Sequence, residues 1–283
     1  MNMPRLQQTT AAAVERQNQI LGGMTMNNRA SPFVWYELMT EDAAEAANFY
    51  GKVVGWNTKD SGVPGVNYTL FEAPGCAVAG MMALSDMPSE NCDTKPGWLG
   101  YIGVADVDAM SEKVTAAGGK ILQPAHDIPS VGRFAVVADP QGSVFALFEP
   151  KDPPEPPADF GSRKVGHPSW HELYAKNGEE AFGFYEKVFG WKLARDFDMG
   201  AMGKYKIFSV NGADAGGIMT APPNVPSGWG FYFMVDGTNA AAERVKSLGG
   251  TVTFGPTEVP NGEWIIQCLD PKGVAFSLVS ATQ

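Results

Sequence analysis

Two glutamates stand out by their surroundings. Glu37 lies in Trp35-Tyr36-Glu37-Leu38-Met39 and Glu172 in Trp170-His171-Glu172-Leu173-Tyr174, so each follows a tryptophan by two residues. Alternate residues of an extended strand share a face, which sets Trp35, Glu37 and Met39 side by side, and Trp170, Glu172 and Tyr174 likewise. A carboxylate walled by indole and thioether is desolvated. Its pKa should rise, which suits it to work as a general acid, a general base or a hydrogen-bond acceptor. Glu37 and Glu172 are therefore the candidate catalytic residues. The plainer alternative is that each reaches solvent or pairs with a basic residue such as Arg133, with the indoles packed as core.

Other reactive groups are sparse. Of the three histidines, His126 is expected in a loop and His167 at the entry to a strand. His171 adjoins Glu172 but, on strand parity, points the opposite way. Cys76 and Cys268 fall in apolar strands, where a thiol is usually inert, and Cys92 in a polar loop; no CxxC pair or disulfide framework is present. Neither GxGxxG nor GxxxxGK[ST] occurs, and Gly118-Gly119 and Gly249-Gly250 read as helix stops.

The elements that must position these residues occur twice. Residues 35–56 and 170–191 match at an offset of 135: Trp35 with Trp170, Glu37 with Glu172, Phe49-Tyr50 with Phe184-Tyr185, and Gly55-Trp56 with Gly190-Trp191. Further on the offset is 131, pairing Trp98, Tyr101 and Val104 with Trp229, Tyr232 and Val235, and Asp139-Pro140-Gln141-Gly142 with Asp270-Pro271-Lys272-Gly273. Within the first copy the spacing predicts a strand over Phe33–Met39, then a helix capped by Asp42 and ended by Gly55 with Ala46, Phe49, Tyr50 and Val53 on one stripe. Strands follow at Trp56–Lys59, Asn67–Glu72 and Ala77–Ala83. The pattern then restarts with a strand at Leu99–Val104, a helix over Asp106–Ala117, and strands at Lys120–Gln123, Arg133–Ala138 and Val144–Phe148, the last two joined by the Asp-Pro-Gln-Gly turn. Each copy is thus βαβββ-βαβββ. Five prolines between Pro150 and Gly166 mark a linker. The expected organisation is a mobile tail over 1–31 with a short helix at Ala11–Leu21, a first domain over 32–150, a linker over 151–166 and a second domain over 167–281.

Bulk properties narrow the partners. The 283 residues, 44 % hydrophobic and 18 % charged, suffice for two cores. A net charge of −10 disfavours nucleic acid and anionic membrane surfaces. No apolar run approaches the ~20 residues of a membrane span, and no signal-peptide core is present, so a cytoplasmic location is expected.

The module order, the run Ala47-Asn48-Phe49-Tyr50 leading to Val54-Gly55-Trp56, its twin at Phe184-Tyr185 and Gly190-Trp191, the helix start Val104-Ala105-Asp106-Val107-Asp108 and the Asp139-Pro140-x-Gly turn together resemble the vicinal-oxygen-chelate superfamily of glyoxalases, bleomycin-resistance proteins and dioxygenases. The resemblance covers residues 32–150 and 167–281. It implies an α+β fold of four βαβββ modules, curled into two cups with helices on their convex faces and the active site inside. It also implies metal-ligand positions, which fall here on Trp35, Leu99, Ala146 and Met82 in the first copy and on Trp170, Gly230, Ser277 and Met219 in the second. These residues make poor ligands, so no metal and no other cofactor is expected.

With the family ligand positions facing inward, the cups are lined by Trp35, Met39, Leu99, Tyr101, Ala146 and Phe148 in the first copy, and by Trp170, Tyr174, Tyr232 and Ser277 in the second, with Glu37 and Glu172 as their carboxylates. Trp98 and Trp229 then face the helix layer, and Met81, Met82 and Met219 serve as adaptable packing. The expected function is metal-free binding of a small apolar or aromatic molecule. The alternatives are a metal-independent lyase or isomerase using Glu37 or Glu172, a metal-dependent glyoxalase or dioxygenase with non-standard ligands, and a non-catalytic interaction module. A monomer with internal pseudo-symmetry or a homodimer is expected.

Overall fold

The computed structural model describes residues 30–63, 65–87, 94–152, 163–200 and 203–283. The expected Ala11–Leu21 helix, nearly all of the expected tail, Cys92 and the middle of the proline-rich segment lie outside the described residues. The first copy comprises β1 (Phe33–Thr40), α1 (Ala43–Val54), β2 (Asn57–Asp60), β3 (Thr69–Ala73), β4 (Cys76–Ala83), β5 (Gly97–Gly103), α2 (Val107–Ala116), β6 (Lys120–Ile128), β7 (Gly132–Ala138) and β8 (Val144–Pro150). The second repeats it with β9 (Pro168–Ala175), α3 (Gly178–Phe189), β10 (Lys192–Asp198), β11 (Lys204–Val210), β12 (Ala213–Thr220), β13 (Gly228–Met234), α4 (Thr238–Ser247), β14 (Thr251–Glu258), β15 (Trp264–Leu269) and β16 (Ala275–Ser280). Each copy forms one eight-stranded mixed sheet, ordered β2-β3-β4-β1-β5-β8-β7-β6 and β10-β11-β12-β9-β13-β16-β15-β14. None of the described helices is long and apolar enough to cross a membrane.

Local chemistry sets the helix ends. The Asp42 side chain accepts from the Glu45 amide at 2.9 Å, and Gly55 closes α1 with φ of 91°, a left-handed conformation that favours glycine. One strand departs from expectation. β6 does not stop at Gln123 but runs on through Pro124 to Ile128, with register shifts at Ile121/Gln123 and Gln123/His126. It is the edge of its sheet, where a residue without an N–H and a bulge are both tolerated. His126, expected in a loop, is therefore a strand residue.

Each sheet turns one face to its own cup and the other to a core shared by both copies, in which Phe49, Tyr50 and Trp56 join Tyr185, Trp191 and Phe233. The contacts across this layer are reciprocal. Tyr50 donates its hydroxyl to Asp270 Oδ2 and Tyr185 donates to Asp139 Oδ2, both at 3.2 Å. Trp56 Nε1 donates to Gly166 O, and Trp191 Nε1 to Ser31 O, both at 2.7 Å. At the α1 C-terminus, the Arg244 guanidinium of α4 donates to Val53 O at 3.1 Å, and Lys113 Nζ of α2 reaches Val188 O near the end of α3 at 2.5 Å. A cation at a helix C-terminus complements the dipole there. Such i-to-j and j-to-i pairing is the signature of a two-fold relation, here between halves of one chain.

Tyr36 and His171 are repeat counterparts, so this pseudo-axis passes between them. The Tyr36 hydroxyl donates to His171 Nε2 at 2.5 Å, while His171 Nδ1 donates to Ala215 O at 2.6 Å. Phe33 stacks on the imidazole with centroids 4.4 Å apart, and Phe231 meets it edge-on. Burial outweighs the Ala215 bond and pulls the imidazole pKa down to about 4, so the folded protein holds it neutral. Because the folded value lies below the unfolded value of about 6.5, this contribution to stability is complete above about pH 6.5 and is lost as pH falls toward 4. Urea melts across this window should lose at most about 3 kcal/mol through His171. His171→Phe should flatten that slope; an unchanged slope in the variant would show that other groups carry it.

Candidate functional site

The first cup encloses a cavity of about 1140 Å3. Trp35, Glu37 and Met39 enter it from β1, Leu99 and Tyr101 from β5, and Phe148 from β8, as strand alternation requires. Met82, paired with Met39 across β1 and β4, also lines it, and Ala146 is buried within the same apolar cluster. All four first-copy positions that the resemblance assigns to metal ligands therefore turn inward. Their side chains are an indole, a branched aliphatic, a methyl and a thioether, which do not make a divalent-cation site. Among the described residues, no three His, Cys, Asp or Glu side chains are placed to hold a metal.

The polar centre of the cup is a network. Tyr101 donates its hydroxyl to Glu37 Oε2 at 2.5 Å, the Tyr68 hydroxyl lies beside the carboxyl, and Trp35 Nε1 donates to Tyr68 Oη at 2.9 Å. Desolvation pushes the Glu37 carboxyl above its ordinary pKa, opposed by the two tyrosine hydroxyls. Desolvation also drives Tyr68 and Tyr101 well above the ordinary phenol value, a trend reinforced by the Glu37 charge, so both remain donors. The second cup repeats the motif with additions. Glu172, only 7 % exposed, accepts from Tyr205 at 3.0 Å, Tyr232 at 2.8 Å and Gln267 at 3.3 Å, with the Tyr174 hydroxyl beside it. Trp170 Nε1 donates to Tyr205 as Trp35 does to Tyr68. Burial raises this carboxyl too, against those four polar groups.

Among the described residues, neither glutamate pairs with a basic residue. Arg133 binds Asp108 at 2.9 Å and Asp127 at 3.0 Å, because its place on β7 sets it beside α2 and β6. The indoles do not plug the first cup: Trp35 is 7 % exposed yet borders an open cavity. Trp98 and Trp229 lie against the helix layer, donating to Tyr50 and Tyr185 at 3.1 and 3.0 Å. Met81 and Met219 are buried, and burial pushes the Cys268 thiol up to about 12. The structure adds residues that sequence reasoning passed over. His126 lines the cavity with its ring 4.0 Å from that of Phe134. Tyr68 and Tyr205 are also counterparts, at an offset of 137 that neither longer match reveals. Each ring lies across a glycine, Gly80 or Gly217, that sits opposite the glutamate in the neighbouring strand. The repeated Tyr/Gly pairing was the available signal.

Two βαβββ modules closing one sheet around an apolar, carboxylate-bearing cup, twice in one chain, define a tandem cup protein of the vicinal-oxygen-chelate type. The chain belongs to the Glyoxalase/Bleomycin resistance protein/Dioxygenase superfamily, whose sequence model matches residues 33–147 and 164–278. A putative glyoxylase of Mycobacterium tuberculosis is 32 % identical over 252 residues, covering 87 % of this chain and 93 % of that protein. An anthracycline biosynthesis protein of Streptomyces sp. is 30 % identical over 261 residues, covering 87 % of this chain and 91 % of that protein. Among solved structures, an Mn(II)-bound glyoxalase from Novosphingobium aromaticivorans superposes with a TM-score of 0.63 at 18 % identity, over 90 % of this chain and 83 % of that one. The LapB 2,3-dioxygenase of Pseudomonas sp. KL28 gives 0.61 at 15 % identity, over 92 % and 94 %. At these identities the shared property is the fold.

Proposed function

We propose that the protein binds a small apolar or aromatic organic molecule in its first cup without a metal. The observation that carries this reading is the make-up of that cup: a cavity of about 1140 Å3 in which the family's metal seats hold Trp35, Leu99, Ala146 and Met82. Ring faces with a few convergent polar groups are what a small-molecule site needs. A relative named for anthracycline biosynthesis supports a flat, fused-ring ligand. Fluorescence titration with anthracenylmethanol, a neutral three-ring probe, should show saturable binding that survives dialysis against EDTA. Metal analysis of protein purified without added metal should return well below one equivalent per chain. A stoichiometric transition metal, or binding lost on chelation, would overturn the proposal.

A second reading, a metal-independent lyase or isomerase acting on a small carbonyl compound, is favoured by one observation. Glu37 faces the cavity with its pKa raised by burial and the Tyr101 hydroxyl 2.5 Å away, a base beside a proton donor. In that case Glu37→Gln abolishes turnover while a neutral ligand still binds within about tenfold of the parent affinity, since only the proton-transfer step is removed.

A further inference from the structure

We propose that the first cup selects a ligand bearing a protonated amine, held by Glu37 within an aromatic enclosure, and that the second cup is not a second copy of this site. The inference deepens the binding reading above and rests on it.

The two carboxylates differ in how far the protein satisfies them. An ionised carboxylate offers about four lone-pair acceptor sites. Glu172 accepts from three donors, Tyr205, Tyr232 and Gln267, with the Tyr174 hydroxyl beside it. Around Glu37 the tyrosines recur as Tyr68 and Tyr101, and Tyr101 donates to it at 2.5 Å. Gln267 and Tyr174 have as counterparts Val136 and Met39, whose side chains carry no N–H or O–H. Acceptor sites of Glu37 are thus left to whatever enters the cavity. The hydroxyl of Tyr101, its proton committed to Glu37, likewise presents only lone pairs. The ligand group that completes this centre is a donor.

Charge selects among donors. No Lys or Arg pairs with Glu37 among the described residues, and Arg133 is committed to Asp108 and Asp127. A buried carboxylate without a counter-ion is costly, and an entering cation relieves that cost where a neutral hydroxyl does so only in part. The rings of Trp35, Tyr68, Tyr101, Phe134 and Phe148 line the same cavity, and their faces attract ammonium groups. At the margin lie the exposed Lys95 and the half-buried His126, together with Asp86 and Asp127, so the rim is not a cationic barrier.

The test compares anthracenylmethylamine, cationic at neutral pH, with its neutral isostere anthracenylmethanol, by calorimetric titration of the full chain. The amine should bind at least about tenfold more tightly than the alcohol, at one molecule per chain, and Glu37→Gln should bring the two affinities together. Equal affinities in the parent protein, two amines per chain, or a preference that survives Glu37→Gln would overturn the inference. Alcohol binding without amine preference would leave metal-free binding standing; binding of neither probe would remove both. Should the variant fail to fold, the parent protein's affinity ratio and stoichiometry still decide.

Discussion

Replacing Trp191 by alanine is expected to unfold both copies together. Trp191 is fully buried, stacks on Phe208 at 4.2 Å and on Tyr185 at 5.0 Å, and donates Nε1 to Ser31 O at 2.7 Å. Loss of a buried aromatic of this size costs about 3–5 kcal/mol, and here a carbonyl near the start of the first copy also loses its donor. The ring belongs to the core that both copies share. Its loss should therefore lower a single calorimetric transition for the whole chain, by several degrees or more. Two separated transitions, with the first copy melting at its parent temperature, would show that the copies fold independently and that their reciprocal contacts are incidental.

Gly80→Ala should disable the first cup while sparing the shared core. A Cβ at Gly80 would sit 1.9 Å from Tyr68 Oη and 2.2 Å from its Cζ, so the ring must leave. With it go the hydroxyl beside Glu37 and the acceptor of the Trp35 indole. Overpacking of this kind costs about 1–3 kcal/mol, and removing one wall with its polar link should weaken anthracenylmethanol binding by about tenfold or more. The replacement strains no left-handed backbone, so the effect isolates the clash with the tyrosine. Tyr68→Gly combined with Gly80→Ala should recover stability by relieving that clash, without recovering ligand. If Gly80→Ala alone binds the probe at full strength, Tyr68 is no part of the binding surface.

Much of the fold could be read from the chain because it rests on local signals repeated twice. Asp42 and Gly55 bracket α1 where their chemistry says a helix should begin and end. Strand parity placed Glu37 and Trp35 on one face and Leu38, fully buried, on the other. What could not be read is what depends on a second element. The Asp139 turn was legible as a turn, since Oδ1 accepts from the amides of Gln141 and Ser143 at 2.8 and 2.9 Å. That its Oδ2 accepts from Tyr185 of the other copy was not, because no local spacing links residues so far apart. The same holds for Gln267, which reaches Glu172 across two intervening strands, and for the extension of β6, where Pro124 disguises an edge strand. The alternative partner of Arg133 could not be settled for this reason too: its partners are set by how α2 and β6 flank it.

The reciprocal Tyr–Asp and Trp–carbonyl links bear on how such a chain can evolve. A change at Asp139 is felt by Tyr185 and not by Tyr50 of its own copy, so the natural unit of compensation is a pair drawn from opposite copies. The hollows lie on the outward side of each sheet, free of that coupling. Two duplicated sites yoked at the back can therefore drift apart at the front, as Val136 and Met39 have from Gln267 and Tyr174, without loosening the joint that keeps both halves folded.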